Sequence, residues 1–213
     1  MYLPPQFDSQ DPALAHALMR AHPFASLISN DDEGLPFVTH LPLHLQADGG
    51  AGQPVLLLGH CARANPHWRY LQQRPRAVVT FMGPQAYLSP KVYPDLTRVP
   101  TWNYLAVHAT VQARLLEDAE AKDALLKQLI ADHEPAYAEQ WHGLDADWRQ
   151  GMLRGIVAFE LSIESVQCKL KLNQHRPESH AAMHQAYSSA DSEGARGLAI
   201  WMQRLGLVPQ EDV

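Results

Sequence analysis

Cysteine is scarce in this 213-residue chain: Cys61 and Cys168 stand alone, which excludes a disulfide framework and fits a reducing compartment. No apolar run approaches the length a bilayer requires, and no basic segment followed by an apolar one opens the chain. Neither a membrane span nor a secretory signal is therefore expected, and the cytoplasm is the expected location. Basic charge is also short, with 17 Lys and Arg against 23 Asp and Glu and a formal net charge of −6. No block of Lys and Arg offsets that balance, which argues against a large nucleic-acid footprint. A Gly-rich phosphate loop, a His-Glu-x-x-His helix and a nucleophile elbow are all missing, so hydrolase and kinase readings lack support. Internal repeats and low-complexity tracts are absent as well.

What is present reads as short strands joined by hairpin turns, with helices that never alternate regularly with them. Residues 11–21 have helical spacing, with Leu14, Leu18 and Ala21 on one face and Asp11-Pro12 as cap and first position. Strands are expected over 24–29, 35–45, 55–59 and from Ala77, with polar turns over 30–34 and 48–53, and Pro42 marking an edge or bulge. The apolar run Val78 to Met82 is expected to break at Gly83-Pro84. Residues 117–133 form the clearest helix, with Ala121, Leu125 and Leu129 on one face, and 145–154 a shorter one. Strands over 156–163 and 166–172 and a helix over 191–205 complete the reading. The pattern predicts an α+β protein, mainly β with helical additions, built on an antiparallel barrel. A main domain over residues 1–180 and a C-terminal helical extension over 181–213 are expected.

Four segments could carry chemistry. In Gly59-His60-Cys61-Ala62-Arg63-Ala64-Asn65-Pro66-His67-Trp68, Asn65 suits an N-cap and Pro66 a first turn. The free amides of such a helix start, with Arg63 just outside, would suit a phosphate, although an ordinary capped helix beside a solvated arginine has the same sequence. In His40-Leu41-Pro42, the missing amide of Pro42 leaves a gap in the ladder where backbone groups could read a heterocycle edge. Thr101-Trp102-Asn103 ends a stretch dense in aromatics and prolines, the wall of a site for a flat ligand or a tightly packed β corner. From Cys168 to Arg176, strand alternation puts Lys169, Lys171 and Asn173 on one face. His40, His60, His67 and His108 allow a rival metal or haem reading, without the tight spacing a zinc site shows.

Taken together, these blocks resemble the PaiB family, the FMN-binding negative transcriptional regulators. The resemblance rests on Met1-Tyr2-Leu3-Pro4-Pro5-Gln6-Phe7, His40-Leu41-Pro42-Leu43, Gly59-His60 with Ala62-Arg63-Ala64-Asn65-Pro66 and Trp68, and Gly83-Pro84 with Ala86-Tyr87. It continues through Val99-Pro100-Thr101-Trp102-Asn103-Tyr104, Val107-His108, and Lys171-Leu172 with Gln174. Two blocks depart from the family: its Lys-Leu-Ser-Gln-Asn is here Lys171-Leu172-Asn173-Gln174-His175, and Thr110-Val111 replaces a glycine after His108. The resemblance implies a split β-barrel of the pyridoxamine-phosphate-oxidase-like type, homodimeric, with FMN in a cleft where subunits meet. It also implies repression of transcription, hence an operator DNA as partner. On this reading Arg63 and the helix start at Asn65 hold the phosphate with Lys171 as a second cation, and His40, Leu41 and Pro42 line the ring edge. His60 and Gln174 contribute further contacts, and Thr101, Trp102 and Asn103 close the wall. A flavin-dependent oxidoreductase and a haem-binding or haem-degrading protein are the alternatives.

Overall fold

The computed structural model describes residues 1–47, 54–95 and 97–209. The turn expected over 48–53 lies outside the described residues. Among the described residues eight strands form one sheet: β1 Asp8–Ser9, β2 Phe24–Asn30, β3 Pro36–Pro42, β4 His44–Gln46, β5 Leu56–Ala62, β6 Arg76–Leu88, β7 Thr101–Leu116 and β8 Ile156–Lys171. Their order is β3-β2-β6-β7-β8-β5-β4, with β1 paired to β8. The pairings β1–β8, β2–β3, β2–β6, β4–β5 and β5–β8 are all antiparallel. Among the described residues seven α-helices accompany them, besides short 3-10 turns: α1 Pro12–Ala21, α2 His67–Gln73, α3 Ala119–His133, α4 Ala138–Gly143, α5 Ala146–Arg154, α6 His180–Ser188 and α7 Glu193–Arg204. The expected α+β class is what forms.

The chain divides into two compact units, each assembled from separate stretches: Met1–Ala21, Met82–Val107 and Gln167–Val213, then His22–Phe81 and His108–Val166. In the first unit the expected strand break at Gly83-Pro84 does not occur, because β6 runs through both residues to Leu88. Both are buried, and the glycine serves close approach rather than a turn: a Cβ there would lie 2.6 Å from Leu18 Cδ1. Likewise Gly197 of α7 lies close to the Pro84 ring, where a Cβ would come within 2.9 Å, and Gly194 lies against the Gln85 carbonyl. The helix α6, which the sequence pattern did not indicate, precedes α7 and supplies the buried Met183 and Tyr187.

In the second unit the polar turn over 30–34 forms as expected. Asp31 Oδ1 accepts from the amides of Glu33 and Leu35, both at 2.9 Å, and Gly34 takes φ +81°. The single strand expected over 35–45 splits at Leu43, whose amide donates to the Pro23 carbonyl instead of to the ladder. Asp118 caps α3 by accepting from the amides of Glu120 and Ala121, and Asp145 caps α5 by accepting from Trp148. Leu125 of α3 packs with Leu116 and Ala158, flanked by Leu58, Leu126 and Leu129, so the apolar stripe of α3 covers β5, β7 and β8 residues. The two strands expected over 156–163 and 166–172 are one, β8.

Candidate functional site

The β2–β3 hairpin has two different faces. Register pairs Leu27 with Thr39, Ser29 with Phe37 and Ala25 with Leu41, and this face packs beneath α2. There the buried His67 uses both ring nitrogens: Nδ1 meets Thr39 Oγ1 at 2.7 Å and Nε2 meets Ser29 Oγ at 3.0 Å. Burial pulls its pKa down to about 4, so the ring is neutral at pH 7. The opposite face pairs Phe24 with Pro42, Ser26 with His40 and Ile28 with Val38, and continues to Thr80 and Val78 on β6. It carries exposed apolar side chains, Phe24 at 67% and Val38 at 44%. His40 lies among them, its Nδ1 2.9 Å from Ser26 Oγ and its ring 6.3 Å from that of Phe24. A groove of about 420 Å³ adjoins, lined by Ile28, Asn30, Pro36, Arg76, Val78 and Thr110 among others. Of the expected ring-edge residues, His40 and Pro42 belong to this open face and Leu41 points to the buried one.

The capped helix start expected after β5 forms, with Pro66 already in helical geometry and Asn65 supplying the cap bond. The helix begins at His67 and has seven residues, and the Asn65 side chain already serves its start. Asn65 Oδ1 accepts from the His67 amide at 3.0 Å and Nδ2 donates to Thr39 Oγ1 at 3.1 Å. Arg63 is exposed, yet Nε donates to the Arg154 carbonyl at 2.8 Å and Nη2 to the Ile156 carbonyl at 3.3 Å. Beside it lies a residue the sequence reading passed over, Lys122 of α3, which is 5% exposed. The two line a cavity of about 480 Å³ with Trp68, Gln72, Glu117 and Val157. Burial, and then the charge of Arg63, lowers the Lys122 pKa, while Glu117 opposes the shift. One signal was available: Lys122 stands on the helical stripe it shares with Leu125, Leu126 and Leu129. His60 faces α3 and α4, lining a smaller pocket with Leu126, Leu129, His133, Tyr137 and Trp141. Its Nδ1 is buried without a hydrogen-bond partner, and burial lowers its pKa.

The remaining expected residues lie in the first unit and form their own network. Lys171 Nζ donates to Thr101 Oγ1 at 2.6 Å and to the Trp102 carbonyl at 2.5 Å. Both Lys169 and Lys171 lie near the Tyr104 ring, as strand alternation implied. Trp102 Nε1 donates to Gln85 Oε1 at 2.9 Å. Asn103 is fully buried, donating to Met183 Sδ at 3.3 Å with Oδ1 left unpartnered beside Tyr187. Gln174 closes the turn after β8 by donating to the Leu170 carbonyl and accepting from the Leu172 amide. The departure at Asn173 has a structural counterpart: this buried residue takes φ +59°, and its side chain donates to Tyr93 Oη at 2.6 Å. Of the four histidines of the rival reading, His40 is on the open face, His67 beneath α2, His60 toward α3 and α4, and His108 on β7; among the described residues no three His, Cys, Asp or Glu side chains group around a metal position.

Solved structures share this fold. The flavocytochrome Anf3 of Azotobacter vinelandii superimposes with a TM-score of 0.59 at 19% identity, covering 78% of this chain and 70% of that one. The FAD and heme binding protein of Mycobacterium smegmatis gives 0.59 and 19%, covering 77% and 73%. The architecture is that of the split-barrel flavoproteins. A family model described as "Putative FMN-binding domain" matches residues 1–165. The protease synthase and sporulation protein PAI 2 of Bacillus subtilis is 32% identical over 183 residues, 84% of each chain. The chain belongs to the PaiB family of FMN-binding proteins, and FMN is its cofactor. The residues present suit the parts of such a group: an apolar groove with a polar rim for a ring, and in a separate cavity the cations Arg63 and Lys122, beside Glu117, for a phosphate.

Proposed function

We propose that the open face of β2, β3 and β6 seats the FMN ring and meets a second copy of the chain, the flavoprotein dimer acting as a negative regulator of transcription. The observation that carries this reading is that face itself, where Phe24 and Val38 are exposed around His40 beside a groove of about 420 Å³. Contiguous apolar surface on a sheet marks an interaction site, and a flat ring suits a mainly apolar cleft with few polar groups. β3 ends the strand order, so its free backbone edge is available to the polar rim of a heterocycle. His40 and Pro42 would border the ring and Arg63 would serve the phosphate. The regulatory part draws on the likeness to the Bacillus protein, whose name refers to protease synthesis and sporulation. Among the described residues no helix is long and apolar enough to cross a membrane.

The test is an absorbance spectrum after FMN is added and the excess removed, with mass measured by light scattering. Retained flavin bands and a dimeric mass are expected. Phe24→Glu and Val38→Glu replace exposed side chains, so the fold should survive while flavin and dimer are lost together. Variants that stay dimeric and flavin-loaded would remove the face from the site. Salt-sensitive retention of upstream DNA in a gel shift is expected of a regulator, and its absence at low salt would remove that part of the proposal.

A further inference from the structure

Lys122 is placed against three electrostatic preferences at once. It is 5% exposed, and burying an ammonium is costly unless a partner compensates it. It sits in the first turns of α3, where the helix dipole disfavours a cation. It also converges with a second cation on one oxygen: Lys122 Nζ donates to the Ile156 carbonyl at 3.5 Å and Arg63 Nη2 to the same carbonyl at 3.3 Å. Both bonds are long. Among the described residues neither side chain forms an ion pair with a carboxylate. Glu117 lines the same cavity, but it is exposed and only partly offsets the field. The Trp68 ring and the Gln72 side chain supply a flat wall and an amide to that space of about 480 Å³. As a staple of α3 to β8, Lys122 has one bond only, at the long limit of 3.5 Å.

We infer that Arg63 and Lys122 form a binding pocket for a phosphoryl group, whose two negative charges match the two cations. The group has two sources, the phosphate of FMN or a separate phosphate-bearing ligand, and only the first rests on the flavin reading above. The experiment compares wild type with Lys122→Met, which keeps the aliphatic stem, and Lys122→Arg, which keeps the charge. FMN and riboflavin are titrated into each, and thermal stability is measured in inorganic phosphate against chloride at matched ionic strength. Loss of about tenfold or more in FMN affinity in Lys122→Met, with riboflavin unchanged and Lys122→Arg restored, assigns the pocket to the cofactor's phosphate. Unchanged flavin binding with loss of the stabilisation by phosphate assigns it to a separate ligand. If the Met variant does not fold, Lys122→Gln replaces it. Identical FMN-to-riboflavin ratios and identical phosphate responses in wild type and the neutral variant would overturn the inference. Should wild type bind neither flavin, the FMN reading fails alone, and the phosphate arm still decides the pocket.

Discussion

Lys171 in the first unit and Lys122 in the second are both lysines whose pKa burial lowers, and they differ in what the fold gives them in return. Lys171 has a hydroxyl at 2.6 Å and a carbonyl at 2.5 Å, whereas Lys122 has one carbonyl at 3.5 Å that it shares with Arg63. The first is a doubly bonded strut that holds the start of β7 to the end of β8. The second retains unused donors in a cavity. Removing the first should cost stability, and removing the second should cost binding.

The sharpest test of what burial does to a fully paired group is His67, which is buried and bonded at both ring nitrogens. An unfolded histidine titrates near 6.5, whereas His67 in the fold titrates at about 4. Between those values the unfolded chain takes up a proton that the native one refuses, so stability falls as the pH drops through the window and is unaffected by this group above it. The loss should reach about 3 kcal/mol by pH 4, an order-of-magnitude figure. Urea unfolding at pH 7 and pH 4.5 measures it. Because burial also lowers the pKa of His60, His108 and His175, the His67 share is the difference between wild type and His67→Gln. Equal pH slopes in the two proteins would show that burial does not hold His67 neutral in the fold.

Next in size is Lys171→Met. It strips Thr101 Oγ1 and the Trp102 carbonyl of their donor, and with Lys171 partly exposed, water can replace part of what is lost. A destabilisation of about 1–2 kcal/mol is expected, read from the urea midpoint at constant slope. A cost near zero would mean that the doubly bonded lysine is as dispensable as the weakly bonded one, and the contrast would collapse.

Local chemistry made some of this legible and long-range packing hid the rest. The Asp31 turn and the Asp11-Pro12 start of α1 could be read because each is decided within a few residues; Asp11 Oδ1 accepts from the Ala13 amide at 2.8 Å. Gly83-Pro84 misled because its glycine makes room for Leu18, while Gly194 and Gly197 from the far end of the chain pack against Gln85 and Pro84. In the candidate site, strand alternation placed Lys169 and Lys171 together and the family blocks pointed to His40 and Arg63. Alternation alone does not say which side of β5 a helix will cover, so the turn of His60 toward α3 and α4 was out of reach. Lys122 was passed over because its meaning depends on Arg63, which only the fold brings to the same carbonyl.

The smallest expected effect is the stability change of Lys122→Met in chloride buffer. Replacing a poorly compensated buried cation by an apolar side chain of similar length is neutral or stabilising, here within about 1 kcal/mol. Position 122 stays on the helical stripe it shares with Leu125 and Leu126, and the Ile156 carbonyl keeps its bond from Arg63. In phosphate the two proteins should part, because wild type gains the linkage stabilisation of a bound anion and the variant does not. A destabilisation in chloride as large as that of Lys171→Met would make Lys122 a strut after all. Near-equality in chloride with a gap that widens with phosphate concentration is the signature of a cation held for a ligand.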